Sequence, residues 1–150
     1  MFSADLTYPA EFIRSFDGST DIKLWIKLLD EEGKELEEAL QGTDRAHVLK
    51  EAADVLYVIA PVMALAQMLY ENGMLSAEVW NLAEEKVAFA DKYMTAVATM
   101  FSEDTVAKAL ELVHASNMSK LGEDGKPIRR DDGKILKGPN YKEPDLSGLI

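Results

Sequence analysis

Four stretches of helical periodicity, each opened by a residue that can cap a helix and closed by a turn signal, restrict this chain to an all-α fold. In the first, Ile22, Trp25, Ile26, Leu28, Leu29, Leu36, Ala39 and Leu40 recur three and four apart, the spacing that lines one face of a helix. Ser19, Thr20 or Asp21 can cap it and Gly42 closes it. Gly33, inside it, costs about 1 kcal/mol relative to alanine. The second begins after Thr43 or Asp44 and runs to about Glu71, where Asn72-Gly73 supplies a stop. Pro61 removes an amide from its interior and predicts a kink. The third begins at Ser76, and the fourth near Ser102 with Glu103 and Asp104 in its first turn; the fourth is expected to end around Lys120 to Gly122. Four helices with short connections predict a four-helix bundle. Ahead of them, residues 8–13 read as a short helical turn packed on the body and ended around Asp17-Gly18.

The last 29 residues differ. From Gly122 onward there are five glycines, three prolines, six Lys or Arg and six Asp or Glu, with turn signals at Asp124-Gly125 and Asp132-Gly133. We therefore divide the chain into a helical domain, residues 1–121, and a C-terminal arm, residues 122–150. The arm either forms a hairpin across residues 127–136 or wraps the bundle or a partner. It is net neutral, so residues 1–121 carry the whole formal charge of −11. Nucleic acid and anionic membranes are poor partners for such a surface. An anionic small molecule is not, because bound divalent cations invert the local field.

The absence of cysteine excludes disulfides, zinc–thiolate sites, iron–sulfur clusters and thiol nucleophiles. Two histidines, His47 and His114, are too few for a three-imidazole site. Residues 55–70 carry no formal charge, but they stop short of a membrane span and contain Pro61 and Gln67, so a buried helix is expected. Met1-Phe2-Ser3-Ala4-Asp5 lacks a basic leader region, and the expected compartment is the cytoplasm.

Chemistry concentrates in two acidic groups, Glu31, Glu32 and Glu35 on the first helix and Glu51 and Asp54 on the second. Residues three or four apart share a helix face. Glu35 lies seven residues before Gly42 and Glu51 nine after it, so on antiparallel helices their levels differ by about 3 Å. Glu51 and Asp54 continue into Val58, Pro61, Val62 and Leu65, the stripe expected to face the interior. Carboxylates there repel one another unless a cation lies between them, and hard oxygen ligands from two helices suit Mg²⁺ or Mn²⁺. The same spacing also marks solvated acidic faces, the reading we give Glu37-Glu38 and Glu84-Glu85.

This pattern resembles the all-α nucleoside triphosphate pyrophosphatase superfamily, the MazG-like and phosphoribosyl-ATP pyrophosphohydrolase-like proteins. Their metal motif, two adjacent glutamates, a third three residues on, then Glu-x-x-Asp on the next helix, matches Glu31, Glu32, Glu35, Glu51 and Asp54. His114-Ala115-Ser116-Asn117-Met118-Ser119-Lys120 is similar to the family's His-x-x-Asn-x-x-Lys stretch. Residues 132–138 and Tyr141-x-x-Pro144-Asp145 resemble the extension of the subgroup that includes MazG-like dUTP diphosphatases. Trp25 departs from the pattern, standing where many relatives carry a basic residue. The resemblance, over residues 20–146, implies a Mg²⁺-dependent enzyme, with Mn²⁺ as an alternative ion. It would cleave nucleoside triphosphates between the α and β phosphates, releasing a monophosphate and pyrophosphate, and assemble as a homodimer or homotetramer.

On that reading Glu31, Glu35, Glu51 and Asp54 ligate metal, and Glu32 positions or deprotonates water, ligates metal, or does both. Asn117 and Lys120, three apart on the last helical turn, form a phosphate-side pair, although a lysine there also suits the helix dipole. Lys137, and with it Lys134, Arg129 and Arg130, would close over the triphosphate; solvated arm charges are the alternative. His47 and His114 read as packing or surface residues. Tyr57 is expected to send its hydroxyl to a carboxylate of the cluster, and Trp25 and Trp80 to fill the core or line a base pocket. The expected substrate is dUTP or another deoxypyrimidine triphosphate. Phosphoribosyl-ATP is the enzymatic alternative, and a non-catalytic helical oligomer that binds nucleotide or metal is the alternative of another class. The second helix is apolar on most sides and the third nearly so, more apolar face than one small core needs, which predicts at least a dimer with these two helices near the interface.

Overall fold

The computed structural model describes residues 7–8, 10–11, 21–122, 124 and 126–150. Its four long helices are α1 (Ile22–Gln41), α2 (Arg45–Glu71), α3 (Ala77–Met100) and α4 (Glu103–Met118). Each starts where a short polar side chain accepts a hydrogen bond from an otherwise unpaired backbone amide: Asp21 from Lys23 N, Asp44 from His47 N, Ser76 from Val79 N and Ser102 from Thr105 N. Gly42 ends α1, and Asn72 followed by Gly73, at φ +66°, ends α2. Pro61 does not interrupt α2, which continues through it for 27 residues. The helix α4 stops at Met118, short of the expected end. Ser119 and Lys120 already belong to a turn in which the Lys120 amide bonds the Asn117 carbonyl. Thr7, Tyr8, Ala10 and Glu11 are helical, whereas the expected stop at Asp17-Gly18 and the alternative caps Ser19 and Thr20 lie outside the described residues.

The helix α2 is the centre of the bundle, packing on α1, α3 and α4, while α1 also packs on α3. This arrangement accounts for its apolar circumference between Val48 and Val62, which the other three helices cover. Leu29, Leu36, Leu49, Val55, Val62, Val97 and Val106 form the driest layer, each leucine contributing about 1.5–3 kcal/mol by leaving water. Gly33 has a packing role in α1: a Cβ there would lie 2.9 Å from a ring carbon of Phe89, so its absence lets α3 seat that ring on the α1 backbone.

The arm carries a small hairpin, β1 (Ile128–Arg129) and β2 (Ile135–Leu136), paired antiparallel with Ile128 opposite Leu136, and preceded by a bridge between Leu121 and Pro127. Its turn needs Gly133, at φ +96°, and sets it against Leu24 of α1. Lys27 Nζ reaches Asp132 Oδ2 at 2.7 Å. Further on, the arm returns to α4: Ser116 Oγ donates to the Lys142 carbonyl at 2.7 Å, and the Lys142 amide donates to Ser119 Oγ at 2.9 Å. Leu146, 4% exposed, enters the core ahead of a 3₁₀ turn, Ser147–Leu149. The arm thus runs from α1 to α4 of its own chain, across one end of the bundle.

Candidate functional site

Beneath the arm lies a cavity of about 920 Å³. Its acidic wall comes from α1 and α2, where Glu32, Glu35 and Glu51 each place a carboxylate oxygen within 4.8 Å of the others. Glu51 is 4% exposed. Its Oε1 faces His47 Nε2 at 3.0 Å and Lys50 Nζ at 3.1 Å, whereas its Oε2 is buried with no hydrogen-bond partner among the described residues. Asp54 lines the same cavity and is held by Lys50 Nζ at 2.8 Å.

Crowding leaves its mark on proton affinity. Burial, reinforced by the charges of Asp54 and Glu35, pushes the Glu32 carboxyl up to about 8. Burial and the neighbouring Glu51 raise Glu35, and burial raises Asp54 against the pull of Lys50. Lys50 is itself buried enough for its charge to be disfavoured, yet Asp54 and Glu51 hold its ammonium above the usual lysine range. Local spacing could have flagged this residue, which precedes Glu51 by one and Asp54 by four, but that spacing equally describes an ordinary helix-surface pair.

Glu31 stands apart from the cluster. Adjacent residues on a helix point about 100° apart, and with Glu32 turned inward Glu31 faces the hairpin, where Lys134 Nζ lies 3.2 Å and Arg130 Nη2 3.4 Å from its carboxylate. Arg130 also binds Asp132 through Nε at 2.8 Å and through Nη2.

The opposite wall is basic and mixed. Asn117 and Lys120 reach the cavity from the end of α4, and Lys134 and Lys137 reach it from the arm. Burial lowers the Lys120 ammonium below its usual range, although Asp54 and Glu32 oppose the shift. Lys137 Nζ rests 4.8 Å above the centre of the Tyr141 ring. A second cavity, about 90 Å³, adjoins the first. Trp25, Leu28, Tyr57 and Val58 line it, and it shares Glu32, Asp54, Asn117 and Lys120 with the larger one. Trp25 is therefore a core residue, 6% exposed, with part of its surface on a cavity. Trp80 is remote, packed at a 40° tilt on Tyr70 with ring centres 4.9 Å apart.

Tyr57 corrects the expectation of a carboxylate partner. Its hydroxyl lies 2.8 Å from Nδ1 of His114, whose Nε2 lies 3.0 Å from Glu11 Oε2. His114 is therefore a buried link between the N-terminal helical residues and the bundle. Sequence reading missed Glu11 because the contact spans 103 residues.

The family model for phosphoribosyl-ATP pyrophosphohydrolase matches residues 7–72, the stretch that holds the whole acidic wall and stops before α4 and the arm. No curated protein and no solved structure matches the chain.

Proposed function

Because that match places the chain in the all-α NTP pyrophosphatase superfamily, which unites the MazG-like and phosphoribosyl-ATP pyrophosphohydrolase proteins, we propose a specific reaction within it. The protein is a divalent-metal-dependent diphosphohydrolase that splits a nucleoside triphosphate between its α and β phosphates, releasing monophosphate and pyrophosphate in the cytoplasm. One observation carries this reading. Three carboxylates converge in a cavity that also holds lysines, and Glu51 Oε2 is buried there with no partner to bond among the described residues.

The donor set fits a hard cation, since all three converging groups are carboxylates and one oxygen of Glu51 is buried without a hydrogen-bond partner among the described residues. Glu35 and Glu51 would hold Mg²⁺ or Mn²⁺, joined by Asp54 when it is released from Lys50. A bound ion of this kind lowers the pKa of water and neutralises charge on the leaving pyrophosphate. Glu32, inward-facing and raised by burial, would orient the attacking water and, ionised beside the bound cation, accept its proton, its second oxygen joining the ligand set. Lys120, Lys134 and Lys137 take phosphate oxygens. Glu31, committed to Lys134 and Arg130, fixes the arm that carries two of these lysines.

The substrate we favour is dUTP or another deoxypyrimidine triphosphate, on the strength of residues 132–145. Phosphoribosyl-ATP is the second reading, favoured by the name of the family whose model matches. Incubation with canonical and modified nucleoside triphosphates and with phosphoribosyl-ATP, plus Mg²⁺, tests both. Pyrophosphate is the expected product and the fastest substrate ranks the two readings. Orthophosphate as product would refute the chemistry, and nucleotide binding without turnover under any divalent ion would identify a non-catalytic binder.

A further inference from the structure

His47 stands in the first turn of α2, where its backbone amide donates to the capping Asp44 carboxylate at 3.1 Å, and its ring lines the larger cavity. Glu51, four residues on and on the same helix face, receives that ring: His47 Nε2 lies 3.0 Å from Oε1. The pairing is lopsided, because the His47 side chain is 53% exposed and that of Glu51 only 5%. An exposed ring thus spends its hydrogen bond on a buried carboxylate of the acidic cluster. Each carboxylate oxygen has two lone pairs. Those of Oε1 are met by His47 and by Lys50 Nζ at 3.1 Å, whereas Oε2 has no hydrogen-bond partner among the described residues. The two oxygens of Glu51 are therefore unequal before any ion arrives.

The two tethers on Oε1 differ once a cation binds. Lys50 carries a charge of the same sign and also holds Asp54, so an incoming ion displaces it. An imidazole donates to Oε1 even when uncharged, so a cation at Oε2 does not expel it. A carboxylate that ligates a cation is ionised and only accepts, which puts the hydrogen on Nε2. We infer that His47 is a positioning residue that keeps Oε1 of Glu51 turned away from the ion, so that Glu51 offers Oε2 alone, and that this selects the ion. For both oxygens to face one ion the carboxylate must swing and break the His47 bond. Ca²⁺, with its larger and more flexible shell, readily takes both oxygens of a carboxylate, whereas Mg²⁺ demands near-ideal octahedral geometry. Mn²⁺ shares the octahedral preference. The clamp therefore favours Mg²⁺ and Mn²⁺ over Ca²⁺. This rests on the metal-dependent reading of the site and adds the choice of its ion.

The probe is the metal ion alone, added to the full chain without nucleotide. Mn²⁺ binding is followed by EPR, with Ca²⁺ titrated against it as competitor. Wild type should bind Mn²⁺ more tightly than Ca²⁺. In His47→Ala the ratio of the Ca²⁺ to the Mn²⁺ dissociation constant should fall about tenfold, the worth of one hydrogen bond. His47→Gln should keep most of the wild-type ratio, because a glutamine four residues ahead of a glutamate already makes this contact in the same helix. There Gln67 Nε2 donates to Glu71 Oε1 at 2.8 Å. A residue that merely supported the helix would weaken both ions alike, so the ratio separates positioning from stability. The exposure of His47 leaves the core intact in either variant. Failure of wild type to bind either ion would sink the metal reading, and this inference with it. Metal binding with Ca²⁺ the tighter ion in wild type, an unchanged ratio in His47→Ala, or no recovery of the ratio in His47→Gln would overturn this inference alone.

Discussion

A lysine stands among the carboxylates of the cavity, and its ammonium is the cation that the chain itself supplies to them. Lys50 neutralises Glu51 and Asp54 together, so it competes with any ion those residues bind. Lys50→Met should lower stability in chelator by about 1–2 kcal/mol, a buried-pair loss discounted for the lysine's partial exposure, or about 2–8 °C in melting temperature. It should also tighten Mn²⁺ binding as followed by EPR, and unchanged affinity would deny Lys50 this role. In wild type, Mg²⁺ at a hundredfold excess over its Kd should add about 2.7 kcal/mol. Asp54→Asn should lose most of that gain, measured as thermal shift against chelator. Proton linkage gives a second signature. Glu32, Glu35 and Asp54 have folded-state pKa values above their ordinary ones, so the folded state holds protons that the unfolded state releases. Their contribution is fully present below the ordinary carboxylate range and is lost as pH rises toward about 8, the Glu32 value. Metal-free protein should therefore melt higher at pH 6 than at pH 8.5, and Mg²⁺ should flatten that slope; melts across this range in chelator check it. Asp30, Asp132 and Asp145, all lowered, act in the opposite sense and only in acid.

At the level of elements, the four caps and the helix faces were legible because their signals are local: a hydroxyl or carboxylate one residue ahead of an apolar stripe. The acidic motif was legible as a string, but a string does not say which of two adjacent glutamates turns inward. Glu31 and Glu32 diverge because helix geometry separates them, and the hairpin claims the outward one. The docking of that hairpin had no local signature, since Lys27 and Asp132 are 105 residues apart and their charges look like any solvated pair. Partly exposed ion pairs contribute little to global stability. Asp132→Ala, which removes the anchor of Lys27 and Arg130, should therefore leave the melting temperature within about 2 °C. Hydrogen exchange over residues 128–136 should nonetheless accelerate, and kcat/KM should fall because Lys134 loses its mooring. A large drop in melting temperature without faster local exchange would show that the hairpin is instead a structural part of the bundle.

Across the whole molecule, apolar surface is unevenly covered. The first half of α2 is sealed within the bundle, but Met63, Met68, Tyr70, Met74 and Leu82 are each at least 40% exposed, and Met63 also lines a groove of about 320 Å³ between α2 and α3. This narrows the excess apolar face expected from the sequence to the far end of α2 and the start of α3, away from the cavity. A symmetric partner on that face would give the dimer or tetramer we expect. Light scattering at micromolar concentration should report at least twice 16.6 kDa, and Leu82→Glu should reduce it; a wild-type monomer would refute the expectation.

Among the described residues, those that line the two site cavities come from residues 25–58 or 113–147, and α3 contributes none. Evolution is thus free to rewrite the outward side of α3 provided that Ala83, Ala90, Met94 and Val97 still pack, and substitutions should accumulate there without loss of turnover. The experimenter inherits the same freedom. Because the chain has no thiol of its own, a single cysteine at exposed Glu85 or Ala98 would give a uniquely addressable handle for a spin label or fluorophore. From there, any movement of the arm against the bundle could be followed in working protein without a probe ever entering the chamber it covers.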